Sequence, residues 1–310
     1  MKIFVILLSF NSSKYIRKCL DSVLASSIPV ETVVVENGSK DDSFLILKEY
    51  GERIHLLPQE KNLGFSGGNN VGISYALEKG ADYLFLLNMD TYIEKDTIEK
   101  LYRTAENCNE KLLFCPLPKT FAGIFDLGFA QEACCYLTKH EFRNFVTDLY
   151  DGKKLKAYYK SNLICASALF LPISVIQECG NFCPLFYPAY FEDSELFRRV
   201  TFFGWSLAFV SDAVYYHDVE DRRGVALPDS HLISMRIFCD CLNLRNNFTK
   251  TFICNLVSEI AKFMINPFLL RFKNSITHFP PIIMLLKSYF PLKRYRKTLE
   301  QKYRTILHGN

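Results

Sequence analysis

Short blocks of consecutive apolar residues alternate with polar turns and amphipathic stretches along the first half of the chain. Residues 3–9 and 32–35 are almost wholly apolar, the pattern of strands covered on both faces. Between them Ile16, Leu20, Val23 and Leu24 recur at helical spacing after Ser12-Ser13, in a helix that Pro29 closes. The unit then repeats. A helix over 43–49 follows Asp41-Asp42, a short strand covers 54–57, a helix runs through Val71, Ile73, Ala76 and Leu77, a strand covers 84–87, and a helix covers 93–107. Strands alternating with helices of this length predict an α/β fold with a mainly parallel central sheet flanked by helices.

Residues 120–162, with Gly123, Gly128 and Gly152 among mixed aromatic and charged residues, have no clear period and read as a variable excursion. Order returns with a strand over 165–171 halted by Pro172, a helix over 174–179, a loop over 184–191, a helix over 193–203 and a last strand over 206–210. Beyond Asp229 helices are expected over 232–248 and 252–263. Asn266-Pro267, Pro280-Pro281 and Pro291 are expected to break the rest of the chain into short pieces. The chain thus divides into a main domain, 1–230, and a C-terminal helical appendage, 231–310.

Charge sharpens that division. The formal net charge is +4, but residues 1–230 hold 24 Lys/Arg against 30 Asp/Glu, and residues 231–310 hold 13 against 3. A basic, aromatic, amphipathic tail suits either an anionic membrane surface or ordinary packing on a core. It lacks the ordered aromatic platform of a nucleic-acid binder. The eleven cysteines, including Cys134-Cys135 and the Cys239/Cys241 pair, show no C-x-x-C spacing, so reduced thiols are expected rather than zinc. The apolar N-terminus is short and runs into Asn11-Ser12-Ser13-Lys14, which reads as a first strand and not a signal peptide. No run of eighteen uncharged apolar residues occurs, so no spanning helix is expected.

Four stretches carry candidate chemistry. The apolar run 84–87 ends in Asn88-Met89-Asp90, with Asn88 and Asp90 on alternate positions where both can face a hard divalent cation, magnesium or manganese. Asp90 as the cap of the next helix is the competing reading. Asn62-Leu63-Gly64-Phe65-Ser66-Gly67-Gly68-Asn69-Asn70 enters a helix and suits a diphosphate, or is a structural turn; its spacing is neither G-x-G-x-x-G nor a P-loop. Glu192-Asp193 follow an aromatic loop and open a helix, so Asp193 is either a general base or an N-cap. His217, just past the last strand, is either a metal ligand opposite Asp90 or structural.

Taken in order, the blocks Ser9-Phe10-Asn11, Val35-Glu36-Asn37-Gly38-Ser39, residues 62–69, Leu87-Asn88-Met89-Asp90-Thr91, Phe191-Glu192-Asp193 and Gly204-Trp205 resemble the inverting GT-A glycosyltransferases of family 2, particularly the rhamnosyltransferase-like branch. The likeness covers about 1–220, with a looser echo at Leu244-Arg245-Asn246-Asn247. The resemblance implies a GT-A nucleotide-diphospho-sugar transferase fold, with a nucleotide-sugar half over about 1–118 and an acceptor half over about 119–230. Ser9, Asn11, Glu36, Asn37, Asn62, Gly64, Gly68, Asn69, Asn88, Met89 and Asp90 would then bind the donor, Asn11 and Glu36 at its base and ribose. Asp90 and His217 would hold the metal, Asp193 would deprotonate the acceptor, and Phe191, Glu192 and Trp205 would line the acceptor side.

The implied donor is dTDP-rhamnose or a UDP-sugar, and the implied acceptor a glycan or lipid-linked glycan in cell-surface polysaccharide synthesis at the cytoplasmic face of a membrane; a homo-oligomer is compatible with this. Two departures stand out: Glu36 replaces the family's usual Asp, leaving base preference open, and Asn88 replaces the first Asp of the metal motif, leaving one carboxylate and a weakly held ion. No Q-x-x-R-W occurs, which points to one sugar per encounter rather than processive synthesis. A nucleotidyltransferase would carry a glycine-rich triphosphate loop near the first strand, and residues 9–14 supply no glycine. A non-catalytic nucleotide-sugar or glycan-binding protein would bind donor without turnover.

Overall fold

The structure, a computed structural model, describes residues 1–123, 139–161, 164, 166–218, 227–265 and 272–308. Gly128, Cys134, Cys135, Cys165 and Asn266-Pro267 lie outside the described residues. Contacts divide the chain into two units: residues 1–177 with 204–222, and residues 178–203 with 223–310.

The first unit is built on one sheet, from β1 (Ile3–Ser9), β2 (Glu31–Glu36), β3 (His55–Pro58), β4 (Tyr83–Asn88), β5 (Thr91–Ile93), β6 (Leu112–Thr120), β7 (Tyr158–Ser161), β8 (Ala168–Pro172) and β9 (Ser206–His217). Their order is β3-β2-β1-β4-β8-β6-β9-β5, with β7 also on β9. The first four strands pair in parallel, as expected where each is followed by a helix. Past β4 the sheet is mixed: β8 runs antiparallel to β4 and β6, β6 parallel to β9, and β5 and β7 antiparallel to β9. The mainly parallel expectation therefore holds only as far as the βα rhythm does.

Helices α1 (Ile16–Leu24), α2 (Ser43–Lys48), α3 (Gly64–Glu78), α4 (Thr97–Glu106), α5 (Lys139–Tyr150) and α6 (Ile173–Cys179) intervene. Ile16, Leu20 and Val23 of α1 share a core with Val5, Leu7, Val34 and Phe85, each such burial stabilising the fold by roughly 1.5–3 kcal/mol. Helix α3 begins at Gly64, so Phe65 to Asn70 are helical rather than a turn. The reason is close packing: a Cβ on Gly72 would lie 2.5 Å from Ile6 Cγ2, and one on Gly68 2.2 Å from Leu8 Cδ1.

Three strands have no counterpart in the apolar pattern of the sequence. Pro116 and Pro118 disguise β6, because proline cannot donate to a ladder; its register with β9 shifts between Pro116 and Leu117. β5 ends on Ile93, the residue at which the helix over 93–107 is expected to begin, and α4 begins only at Thr97. Within the excursion, Lys139–Tyr150 is helical and Tyr158–Ser161 is a strand.

The second unit is helical: α7 (Glu192–Phe202), α8 (Asp229–Leu242), α9 (Phe248–Ile265) and α10 (Phe272–His308). Phe238, Leu242, Phe252, Leu285 and Leu292 form its core. Pro280, Pro281 and Pro291 do not break α10, which runs through all three. An interior proline costs about 3 kcal/mol; Leu285, Leu292 and Leu299, all buried at seven-residue intervals, supply packing that offsets it. The predicted helix over 232–248 ends early because buried Arg296 donates to the carbonyls of Cys241 and Asn243 at 2.8 Å and of Asn246 at 2.6 Å. Among the described residues no helix is long and apolar enough to cross a membrane, and the eight described cysteines are free thiols.

Candidate active site

In the first unit, β1, β2 and β4 end side by side, Ser9 opposite Glu36 and Leu8 opposite Asn88. This carboxyl edge is where open α/β sheets place ligands. The loops leaving β1 and β2 are laced together: Asn11 N–H donates to Ser39 Oγ at 3.0 Å, Lys40 N–H to Asn11 Oδ1 at 2.8 Å, and Ser12 N–H to Ser43 Oγ at 2.7 Å. Glu36 is buried and folds onto its own turn, accepting from the N–H of Ser39 at 2.7 Å and of Gly38 at 3.2 Å. Gly38 has φ +71°, and a Cβ there would meet the Lys61 backbone at 2.8 Å, so only glycine fits.

Asn37, also buried, pins the next loop. Its Nδ2 donates to Asn62 Oδ1 at 3.0 Å while its Oδ1 accepts from Leu63 N–H at 2.9 Å. Asn62 Oδ1 accepts from Gly64 N–H at 2.7 Å, and Asn69 Nδ2 donates to Phe65 O at 3.0 Å. Ser9 and Met89 are buried as well. Asn37, Asn62 and Asn69 thus hold backbone in place, and Gly68 gives α3 its close approach to β1. Asn11 remains exposed at the edge.

The turn after β4 presents Asp90 outward. Met89 before it and Thr91 after it are buried, and Thr91 Oγ1 donates to Asn88 O at 2.6 Å. Asp90 caps no helix, since β5 follows it. β5 pairs with the end of β9, Thr91 opposite His217, and Asp218 N–H donates to Asp90 O at 3.1 Å. As a result His217 Nε2 stands 3.4 Å from Asp90 Oδ2, with the Asp90 side chain 39% exposed. That separation is long for a hydrogen bond. It fits two neighbouring ligands on one cation, which lie roughly 3 Å apart when each bond is about 2.1 Å. Among the described residues no group of three His, Cys, Asp or Glu gathers around one point; a cation carried on substrate phosphates needs only one or two protein ligands.

Three neighbours were not anticipated. Asp218 Oδ2 accepts from Tyr15 Oη at 2.9 Å and from Lys14 Nζ at 3.5 Å. Burial, and then the hydrogen bond to Asp218, push the Tyr15 phenol up to about 12. The adjacency of Asp218 to His217 in sequence is the one signal that could have found this group. Trp205 lies at the other end of the long β9 strand from His217, buried, with Lys111 Nζ 5.3 Å from its ring centre. It packs the start of β9 rather than joining the Asp90 edge.

In the second unit, Tyr190 and Phe191 both adopt positive φ, +80° and +70°. Side chains other than glycine reach that region only under strain of about 1–3 kcal/mol. The turn they make starts α7 at Glu192, so Asp193 sits in the first helical turn and is not the N-cap. Asp193 Oδ1 accepts from Ser194 N–H at 2.6 Å and from Ser194 Oγ at 3.3 Å. Burial outweighs these bonds and raises its pKa. Glu192 is buried with Oε2 lacking a hydrogen-bond partner; burial, then the charge of Asp193, push it to about 8. Behind them Arg199 forms a bidentate pair with Glu195, both bonds 2.8 Å, and donates to the carbonyls of Cys179, Gly180 and Asn181.

The family model for glycosyl transferase family 2 matches residues 4–170, more than half of the chain. Glycosyltransferase GlyA of Streptococcus pneumoniae serotype 4 is 37% identical over 105 residues, 33% of this chain and 15% of that protein. The dTDP-rhamnosyl transferase RfbF of Shigella flexneri is 36% identical over 61 residues, 20% of this chain and 21% of that protein. The matches thus span well under two thirds of these relatives. The crystal structure of Staphylococcus aureus TarS 1–349 in complex with UDP-GlcNAc superposes with a TM-score of 0.58 over 99% of this chain and 90% of that one, at 18% identity, which shows the shared GT-A fold. With its sheet, its Asn88-Met89-Asp90 edge and the match over residues 4–170, the chain belongs to glycosyl transferase family 2.

Proposed function

We propose that the chain moves a single sugar from a nucleotide-diphosphate donor, dTDP-rhamnose or a UDP-sugar, to a glycan or lipid-linked acceptor of a cell-surface polysaccharide, with inversion at the anomeric carbon. The observation that supports this most is the placing of His217 within 3.4 Å of Asp90 at the carboxyl edge of the sheet, in a chain whose family transfers sugars. The dTDP-rhamnosyl relative and the UDP-GlcNAc held by TarS support the donor class. In this reading residues 1–230 are catalytic, residues 231–310 are a helical appendage, and the enzyme works at the cytoplasmic face of a membrane.

Asp90 and His217 would hold magnesium or manganese. Such an ion, when bound, neutralises charge gathering on the departing diphosphate. Asn11, with the turn that Glu36 closes, supports the base and ribose. Asp193 accepts the proton of the acceptor hydroxyl; that oxygen bonds the anomeric carbon as the bond to the diphosphate breaks. Its raised pKa makes Asp193 a stronger base than an exposed aspartate. Phe191 and Glu192 take the acceptor side, Glu192 as a neutral acid at pH 7, able to donate. Asp193→Asn is expected to slow transfer by at least about 100-fold while donor binding, followed by calorimetry, stays close to wild type; unchanged turnover would remove Asp193 from the reaction.

A further inference from the structure

Helices α9 and α10 each carry an outward row of large apolar side chains. On α9 the row is Ile253, Val257, Ile260 and Met264; on α10 it is Phe279, Ile283, Leu286 and Phe290, exposed by 48%, 39%, 59% and 74%. Steps of three and four residues keep each row on one helical face, distinct from the buried Leu285, Leu292 and Leu299. Continued by the same steps, the α10 row becomes cationic: Arg294, Lys297 and Arg304, all exposed, with Lys287 beside Leu286. Phe290 and Arg294, at the changeover, line a recess of about 360 Å³ together with Pro184, Leu185 and Tyr295.

From this arrangement we infer that the outer face of α10, supported by the α9 row, docks on an anionic lipid bilayer, with Phe279, Ile283, Leu286 and Phe290 at the acyl boundary and Arg294, Lys297 and Arg304 at the headgroup phosphates. Charge selects this occupant. The two acidic residues in the described part of 243–308 are already ion-paired, Glu259 with Lys262 at 2.7 Å and His278 at 2.5 Å, and Glu300 with Arg296 at 2.8 Å. A second copy seated on the same face would bring no unpaired carboxylate from these helices to meet Arg294, Lys297 and Arg304, whereas an anionic leaflet attracts each Lys or Arg near it. The recess, mostly apolar but with Arg294 in its lining, sits where the apolar row gives way to the cationic one. The inference deepens the membrane-face part of the proposed function and is independent of the transfer chemistry.

The test is co-sedimentation of the full chain with phosphatidylcholine vesicles, with and without about one third phosphatidylglycerol, and with no sugar donor present, so that its outcome and that of the transfer assay are read separately. Binding is expected only to the anionic vesicles and to weaken as salt rises. L286D/F290D should lower it by at least about tenfold, and R294Q/K297Q by about tenfold to thirtyfold with a shallower salt dependence. Both pairs replace exposed side chains, and an unchanged melting temperature confirms the fold. Equal binding to neutral vesicles, wild-type binding by both variants, or no vesicle binding from a dimer that L286D/F290D turns into monomer would each overturn the inference.

Discussion

Asp90 Oδ2 and His217 Nε2 lie 3.4 Å apart because the short β5 strand pairs with the last residues of β9. If the two act on one cation, removing either should cost most of what removing both costs. Asp90→Asn and His217→Ala are each expected to lower divalent-ion affinity and kcat/KM by about 100-fold, and the double variant to fall little further. Manganese titration of the three variants checks this; additive losses would mean the residues act separately.

Asp193 yields a pH profile. Its pKa is raised by burial, so the rate should climb with pH through a limb lying above the ordinary aspartate range of about 4, as the base form accumulates. Asp193→Asn should remove that limb and slow transfer by about 100- to 10,000-fold.

Glu192 predicts a stability profile with the opposite slope. The fold favours its protonated form, pushing the pKa from 4.5 to about 8. Below about 4.5 folded and unfolded chains both hold the proton and no penalty arises; as pH rises to about 8 the unfolded chain has lost its proton first, and stability falls. Unfolding free energies from urea titrations across that window should drop for wild type by an amount on the order of a few kcal/mol. Glu192→Gln should flatten the curve.

Arg199 and Glu195 are both almost wholly buried. Arg199→Met leaves a carboxylate without its partner and should cost roughly 3–5 kcal/mol, whereas Arg199→Met combined with Glu195→Met should cost much less. Denaturant unfolding of both variants separates a costly orphaned charge from a net stabilising pair.

Gly72 on α3 tests whether the glycines serve packing. Alanine would add about 1 kcal/mol of helix propensity, but its Cβ would meet the stiff, fully buried Ile6 at 2.5 Å, and overpacking costs about 1–3 kcal/mol. Gly72→Ala should therefore lower the melting temperature; a rise would show that α3 can shift outward freely.

The parallel half of the sheet was legible because β1, β2 and β4 are continuous apolar runs, with a helix after β1 and β2 and another, beyond the short β5, after β4. In the mixed half β8 and the start of β9 were legible as apolar runs, but β5, β6 and β7 were not. Prolines hide β6, and β5 has three residues whose pairing partner lies far along the chain, beyond the reach of any local pattern. For the same reason a lone histidine could be named as a candidate, but its approach to Asp90 depends on the β5–β9 pairing. The motif around residues 62–70 was visible as glycine-rich, yet its division between loop pinning by Asn37 and close packing by Gly68 and Gly72 is set by β1 and β2. The three prolines of α10 pointed to breaks, and a leucine seam at seven-residue spacing overrode them.

An Asp90 edge that carries a nucleotide sugar for transfer with the help of a divalent ion makes donor turnover depend on both the ion and Asp90. The most direct measurement is nucleoside diphosphate release from a panel of nucleotide sugars, with chelator and with manganese, by wild type and Asp90→Asn. Release from one donor that chelation abolishes, manganese restores and Asp90→Asn loses is the predicted result. Release unaffected by both chelator and Asp90→Asn, or absent with every donor, would contradict it.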